Sequence, residues 1–126
     1  MLYSLFIYLD ERRFQCLPAE EQNRIHRACG AWHQELVRSG HSRSATGLQP
    51  SSQSTTLRDR LGRIVVTDGP FSESREVLGG YEVIDCRDLE EARTLASRFP
   101  GLAAGCTLEL RPHMPGDQCE APPDSH

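Results

Sequence analysis

At 126 residues, 37% hydrophobic and 25% charged, the chain has the size of one domain able to bury about two thirds of its unfolded surface. A formal net charge of −4 and a pI near 5.7, with every basic residue an arginine, offer no basic stripe for a nucleic-acid groove, so no direct nucleic-acid partner is expected. Five cysteines with no C-x-x-C and no paired short spacing support neither a disulfide framework nor a zinc ribbon; they read as free thiols of a cytoplasmic protein.

The apolar opening is too short to span a bilayer, lacks a basic leader region and runs into Asp10-Glu11-Arg12-Arg13, so no membrane segment is expected there. It reads instead as a first strand. Leu2, Phe6 and Tyr8 lie on one parity and Tyr3, Leu5, Ile7 and Leu9 on the other, the pattern of a central strand covered on both faces. After a polar connection, Pro18 with Glu20 and Glu21 opens a helix that runs to Ser39 and stops at Gly40. Its stripe of Ile25, Ala28, Cys29, Trp32 and Leu36 lays one face on a sheet.

Residues 41–56 are the least regular part of the chain, readable as a mobile loop or as an edge strand leading into Thr55-Thr56-Leu57-Arg58. Asp59-Arg60-Leu61-Gly62 predicts a hairpin turn into a strand over Arg63 to Thr67, and Tyr81 to Ile84 predicts a further strand. Asp88 with Glu91 is a capping-box signal for a second helix, whose stripe is Leu89, Ala92, Leu95, Ala96 and Phe99. Pro100-Gly101 ends it. A last strand alternates Cys106, Leu108 and Leu110 with polar residues, and residues 113–126 read as a disordered tail after a domain of residues 1–112. Two helices cover one face of such a sheet, whereas several strands are apolar on both parities. A second copy packed over the other face is therefore expected.

Between the last two expected strands of the middle region lies a corner, Asp68-Gly69-Pro70-Phe71, followed by Gly79-Gly80. Proline fixes φ and restricts the residue before it, and Asp68 can accept bonds from the amides after it, so the carboxylate is held at the end of a strand. The two glycines suit a bulge or a close backbone approach better than phosphate binding, because no G-x-G-x-x-G accompanies them.

The run Val65 to Glu73, with Glu76, Leu78-Gly79-Gly80-Tyr81 and Ile84-Asp85, resembles the signature of the YCII-related, DGPF-domain family. Leu2 to Tyr8, Pro18 to Gln22, Gly47-Leu48-Gln49-Pro50 and Leu108 to Pro112 fall in the same order. The resemblance covers residues 1–112 and implies an α+β, ferredoxin-like chain, an antiparallel sheet with two helices on one face, that pairs into a dimeric α/β barrel. It also implies a small-molecule ligand in a pocket near Asp68 with acid/base, lyase-like chemistry, and leaves turnover itself open. The alternative it carries is a ligand-sensing or protein-interaction module linked to extracytoplasmic-function sigma factors.

Relatives proposed to use a His-Asp pair take the histidine from the first helix. Here Asp68 matches the motif, Cys29 or a neighbour falls nearest to the helix position, and His26 or His33 would have to turn towards the corner to complete a dyad. Asp68, His26 and His33 are thus the catalytic candidates. Gln49 and Tyr81, in shared motifs, and Arg43 are the ligand-binding candidates. A metal held by His26, Cys29 and His33 is not expected. His26 and His33 are about 10 Å apart along a helix axis, too far to share one ion. No cofactor is expected.

Overall fold

The structure, a computed structural model, describes residues 1–116. Six strands and three helices run in the order β1 (Leu2–Leu9), α1 (Glu11–Gln15), α2 (Ala19–Arg38), β2 (Ser42–Gly47), β3 (Thr55–Arg60), β4 (Arg63–Asp68), β5 (Val77–Asp85), α3 (Leu89–Ala96) and β6 (Thr107–Pro112). Four of the strands form an antiparallel sheet in the order β2-β5-β1-β6. The doubly apolar β1 is one of its two inner strands.

Alternation along β1 and β5 decides which side is the core. Tyr3, Leu5 and Ile84 point to one face and are buried with Leu36 of α2 and with Ala92 and Ala96 of α3. Trp32 of α2 closes this layer, its indole N–H donating to the Leu95 carbonyl (3.0 Å) and its ring meeting Phe99 edge-on at 4.9 Å. On the opposite face the register sets Phe6 beside Tyr81 and Ser4 beside Val83, all half-buried.

Among the described residues the helices of the domain number three rather than the expected two. Asp10 caps α1, accepting from the Arg13 amide at 3.1 Å. Five residues are too few to show a helical period, which is why this turn reads as a polar connection in the sequence. For α3, Asp88 accepts from the Glu91 amide (2.9 Å), while the Glu91 carboxylate reaches one residue further upstream, to the Arg87 amide (3.0 Å). The helix ends at Ala96, so Phe99 is buried just beyond it and Leu89 is exposed.

The irregular stretch contains β2, an edge strand of polar and small residues with no apolar alternation to announce it. The larger departure concerns β3 and β4, which pair only with each other. The hairpin turn falls at Leu61-Gly62 as the spacing predicts, but the hairpin stands outside the four-stranded sheet, and the chain closes no barrel by itself. His113, assigned to the tail, still bonds the sheet through its amide to the Leu2 carbonyl (2.9 Å) and its ring to the Ser4 hydroxyl (2.7 Å). Residues 117–126, the rest of the expected disordered tail, lie outside the described residues.

Candidate functional site

Between α2 and the sheet lies a cleft of about 550 Å³. Ile7 and Leu9 of β1, Phe14 of α1, Ile25 and Trp32 of α2, and Phe99 give it apolar walls. The cleft exists partly because β5 carries no side chain where it passes. Gly79 sits unpaired at a bulge, with Ile7 opposite Gly80 and Tyr8 opposite Leu78, and a Cβ on Gly80 would lie 2.8 Å from the Thr46 carbonyl oxygen of β2. The glycine pair thus serves the close approach that its composition suggests.

Glu82 follows two residues later on the same parity as Gly80 and Ile84, and therefore points inward. Its side chain is only 3% exposed, yet it is fully satisfied. The Ser42 hydroxyl donates to one carboxylate oxygen (2.5 Å), and Nδ1 of His33, from α2, lies 2.8 Å from the other. A carboxylate only accepts, so Nδ1 donates in this pair, and a neutral ring so held has its lone pair on Nε2. His33 remains 34% exposed and lines the cleft. A base held in one tautomer by a buried carboxylate, at the polar end of an apolar cleft, can accept a proton from a bound molecule.

His26 also lines the cleft, two helical turns before His33 on the same side of α2, with its ring 5.3 Å from that of Phe14. Cys29 and Cys106 complete the lining, and burial pushes both thiols up. At the mouth, Glu11 accepts from the Ser51 amide (2.8 Å) and hydroxyl (2.5 Å), pinning the Pro50 segment there.

Asp68 lies elsewhere. It ends β4 on the hairpin, exposed, with its backbone paired to Thr55, and among the described residues no histidine hydrogen-bonds its carboxylate. The corner after it is held by backbone groups: the Gly69 amide donates to Ser54 O and the Thr56 hydroxyl to Gly69 O, both at 2.7 Å. Gly69 has φ +99°, a left-handed value that suits glycine, rather than the extended geometry expected before proline.

Of the ligand-binding candidates, Tyr81 is among the cleft residues. Gln49 lines a separate cavity of about 710 Å³ with Tyr8, Pro70 and Phe71. Arg43 turns outward to Asp85 (3.1 Å) and the Gly40 carbonyl (2.7 Å). A hydrogen bond from the N-terminal ammonium, reinforced by Arg43, holds the Asp85 carboxyl below the usual range. Among the described residues no group of three His, Cys, Asp or Glu side chains could hold a metal ion, and no helix is long and apolar enough to cross a membrane.

The residue that sequence reasoning passes over is Glu82. Its signal was available: a charged residue inside Tyr81-Glu82-Val83-Ile84, on the parity of the buried Ile84.

Among solved structures, 5-chloro-2-hydroxyhydroquinone dehydrochlorinase from Burkholderia phenoliruptrix AC1100, in complex with 2,5-dihydroxybenzoquinone, matches with a TM-score of 0.56 and 12% identity. The match covers 95% of this chain and 100% of that one, and at such identity it shows a shared fold. An uncharacterised protein of Rhizobium meliloti (strain 1021) is 33% identical over 121 residues, 93% of this chain and 98% of its own length. The YCII-related domain matches residues 1–112. With nearly the whole chain covered by that match, the protein belongs to the YCII-related family.

Proposed function

We propose that this protein is a cytoplasmic homodimer that binds a small apolar molecule in the α2 cleft and transfers a proton through His33, oriented by Glu82. The observation that carries this reading is the 2.8 Å contact between His33 Nδ1 and a buried carboxylate whose other oxygen is taken by Ser42. Nε2 is then the free base. The Glu82 carboxylate orients the ring through this contact. Removal of a proton beside a leaving group is the first half of an elimination, which is the sense in which the chemistry is lyase-like.

The fold neighbour holds a hydroxylated quinone, a compact ring of the kind that the apolar walls here would accept. His26 lines the same cleft as a second ring, while the Tyr81 side chain stands on the opposite face of the sheet. Asp68 has no proton-transfer role within one chain in this scheme, and Gln49 and Arg43 lie outside the cleft.

The homodimer rests on the hairpin. Leu57, Ile64 and Val66 share one of its faces and are 62%, 63% and 61% exposed, and a two-stranded hairpin is marginal unless something packs against it.

The test is a binding panel of hydroxylated aromatic compounds and quinols, followed by NMR measurement of proton-for-deuteron exchange at the bound molecule's acidic position. His33→Gln is expected to keep binding and lose exchange by on the order of a hundredfold. Glu82→Gln should lower exchange, and Asp68→Asn should leave it unchanged. Exchange at the wild-type rate in His33→Gln would remove His33 from the chemistry.

A further inference from the structure

The scheme above leaves aside Gln49 and the Asp68-Gly69-Pro70-Phe71 corner, both singled out in the sequence. Gln49, Pro70 and Phe71 meet at the second cavity, whose volume of about 710 Å³ lies within the range of about 300–1,000 Å³ usual for small-molecule sites. The chain on either side of it is held in place. On one side the Leu48 amide donates to the Gly79 carbonyl (2.9 Å), and Ser51 is tied to Glu11 through its amide and its hydroxyl. On the other, Gly69 is bonded to Ser54 and to Thr56, and an Arg58 N–H reaches the Phe71 carbonyl at 3.4 Å. The hollow is thus formed before anything enters it.

Its chemistry differs from that of the α2 cleft. Neither arginine nor histidine is among the lining residues, and the one carboxylate, Glu76, accepts from the Thr107 hydroxyl (3.0 Å). An anionic molecule would meet a like charge there and no counter-charge. A cation would find only that exposed carboxylate, a pairing worth little in water. What the lining offers is neutral. Gln49, Gln53, Ser72 and Ser74 make no side-chain hydrogen bond among the described residues, so their donors and acceptors are available to a ligand. Two rings accompany them, the half-buried Tyr8 and Phe71, the latter 73% exposed. Apolar ring faces beside uncharged amides and hydroxyls suit a sugar, which carries C–H groups on its faces and, at its edge, hydroxyls that both donate and accept. We propose that this cavity binds a neutral mono- or disaccharide, with Phe71 as the surface on which the sugar ring stacks and Gln49 as the side chain that orients it.

The experiment is saturation-transfer NMR on the full chain, with glucose, galactose and maltose as neutral probes at millimolar concentration and glucuronate and glucosamine as charged probes of the same ring. Transfer to at least one neutral sugar is expected, with glucuronate and glucosamine binding no better than it does. Phe71→Ala should weaken that binding by about tenfold and Gln49→Ala by about threefold, both with the wild-type far-ultraviolet spectrum, while Phe71→Tyr keeps it. His33→Gln should leave sugar binding unchanged, so the outcome is separate from the assignment of the α2 cleft. No transfer to any neutral sugar, tighter binding of either charged probe, or undiminished binding in Phe71→Ala would each overturn the proposal.

Discussion

Glu82 and His33 show how one side chain's meaning depends on its register. In β5 the inward parity is Gly80, Glu82, Ile84, so the carboxylate is carried into the core by the same alternation that buries Ile84. His33 meets it because α2 lays that part of its turn over β5. Gly80 belongs to the same inward row, and its lack of a side chain has a measurable consequence. A Cβ there would press on the Thr46 carbonyl oxygen, a backbone atom that cannot move without disturbing the β2 pairing. At Gly79 the obstacle is the end of the Leu9 side chain, which can adopt another rotamer. Gly80→Ala is accordingly expected to destabilise the fold by about 1–3 kcal/mol in urea unfolding, and Gly79→Ala by under about 1 kcal/mol. Equal losses would mean that the bulge itself, rather than contact with β2, demands glycine.

The elements differ in how openly their causes are written. α2 is long enough for its apolar period to repeat, and Gly40 with φ +82° ends it where the sequence indicates. The β3-β4 hairpin is also legible, yet its turn is imperfect. Leu61 and Gly62 have φ +54° and +82°, the two positive values of a primed turn, and Leu61 is a fully exposed non-glycine residue in that strained region. Asp59 partly compensates by accepting from the Gly62 amide at 2.9 Å. Leu61→Asn should therefore stabilise the protein by about 0.5–1 kcal/mol, seen as a higher urea midpoint at unchanged slope, because asparagine tolerates the left-handed region. No gain would indicate that Leu61 is covered in solution, as an interface would require.

At the scale of the molecule, the sheet and the hairpin pose one question. The helices bury a single face of the four-stranded sheet, and the hairpin presents Leu57, Ile64 and Val66 to solvent in an isolated chain. In the proposed homodimer a second copy would cover these residues, apolar groups that would otherwise be an aggregation hazard. Light scattering on the wild-type chain should give twice the monomer mass. Ile64→Glu, which sets a charge in the middle of the apolar face, should weaken self-association by on the order of a hundredfold and leave the far-ultraviolet spectrum unchanged. A monomeric wild type would reassign the hairpin to another partner.

The sequence by itself determined the α+β class, the central place of β1, the extent of α2, the capped α3 and the glycine-assisted bulge. Each of these is set by local periodicity, capping or backbone freedom within a few residues. It also carried the family, through a motif around Asp68. Only the tertiary structure decided that the carboxylate beside His33 is Glu82, 49 residues away along the chain, and that β3 and β4 stand apart from the main sheet. Neither can be read locally, because strand partners and side-chain encounters depend on how distant segments close on one another. A charged residue in an apolar strand announces that something must satisfy it, while the identity of that partner is fixed by the packing of α2 across β5.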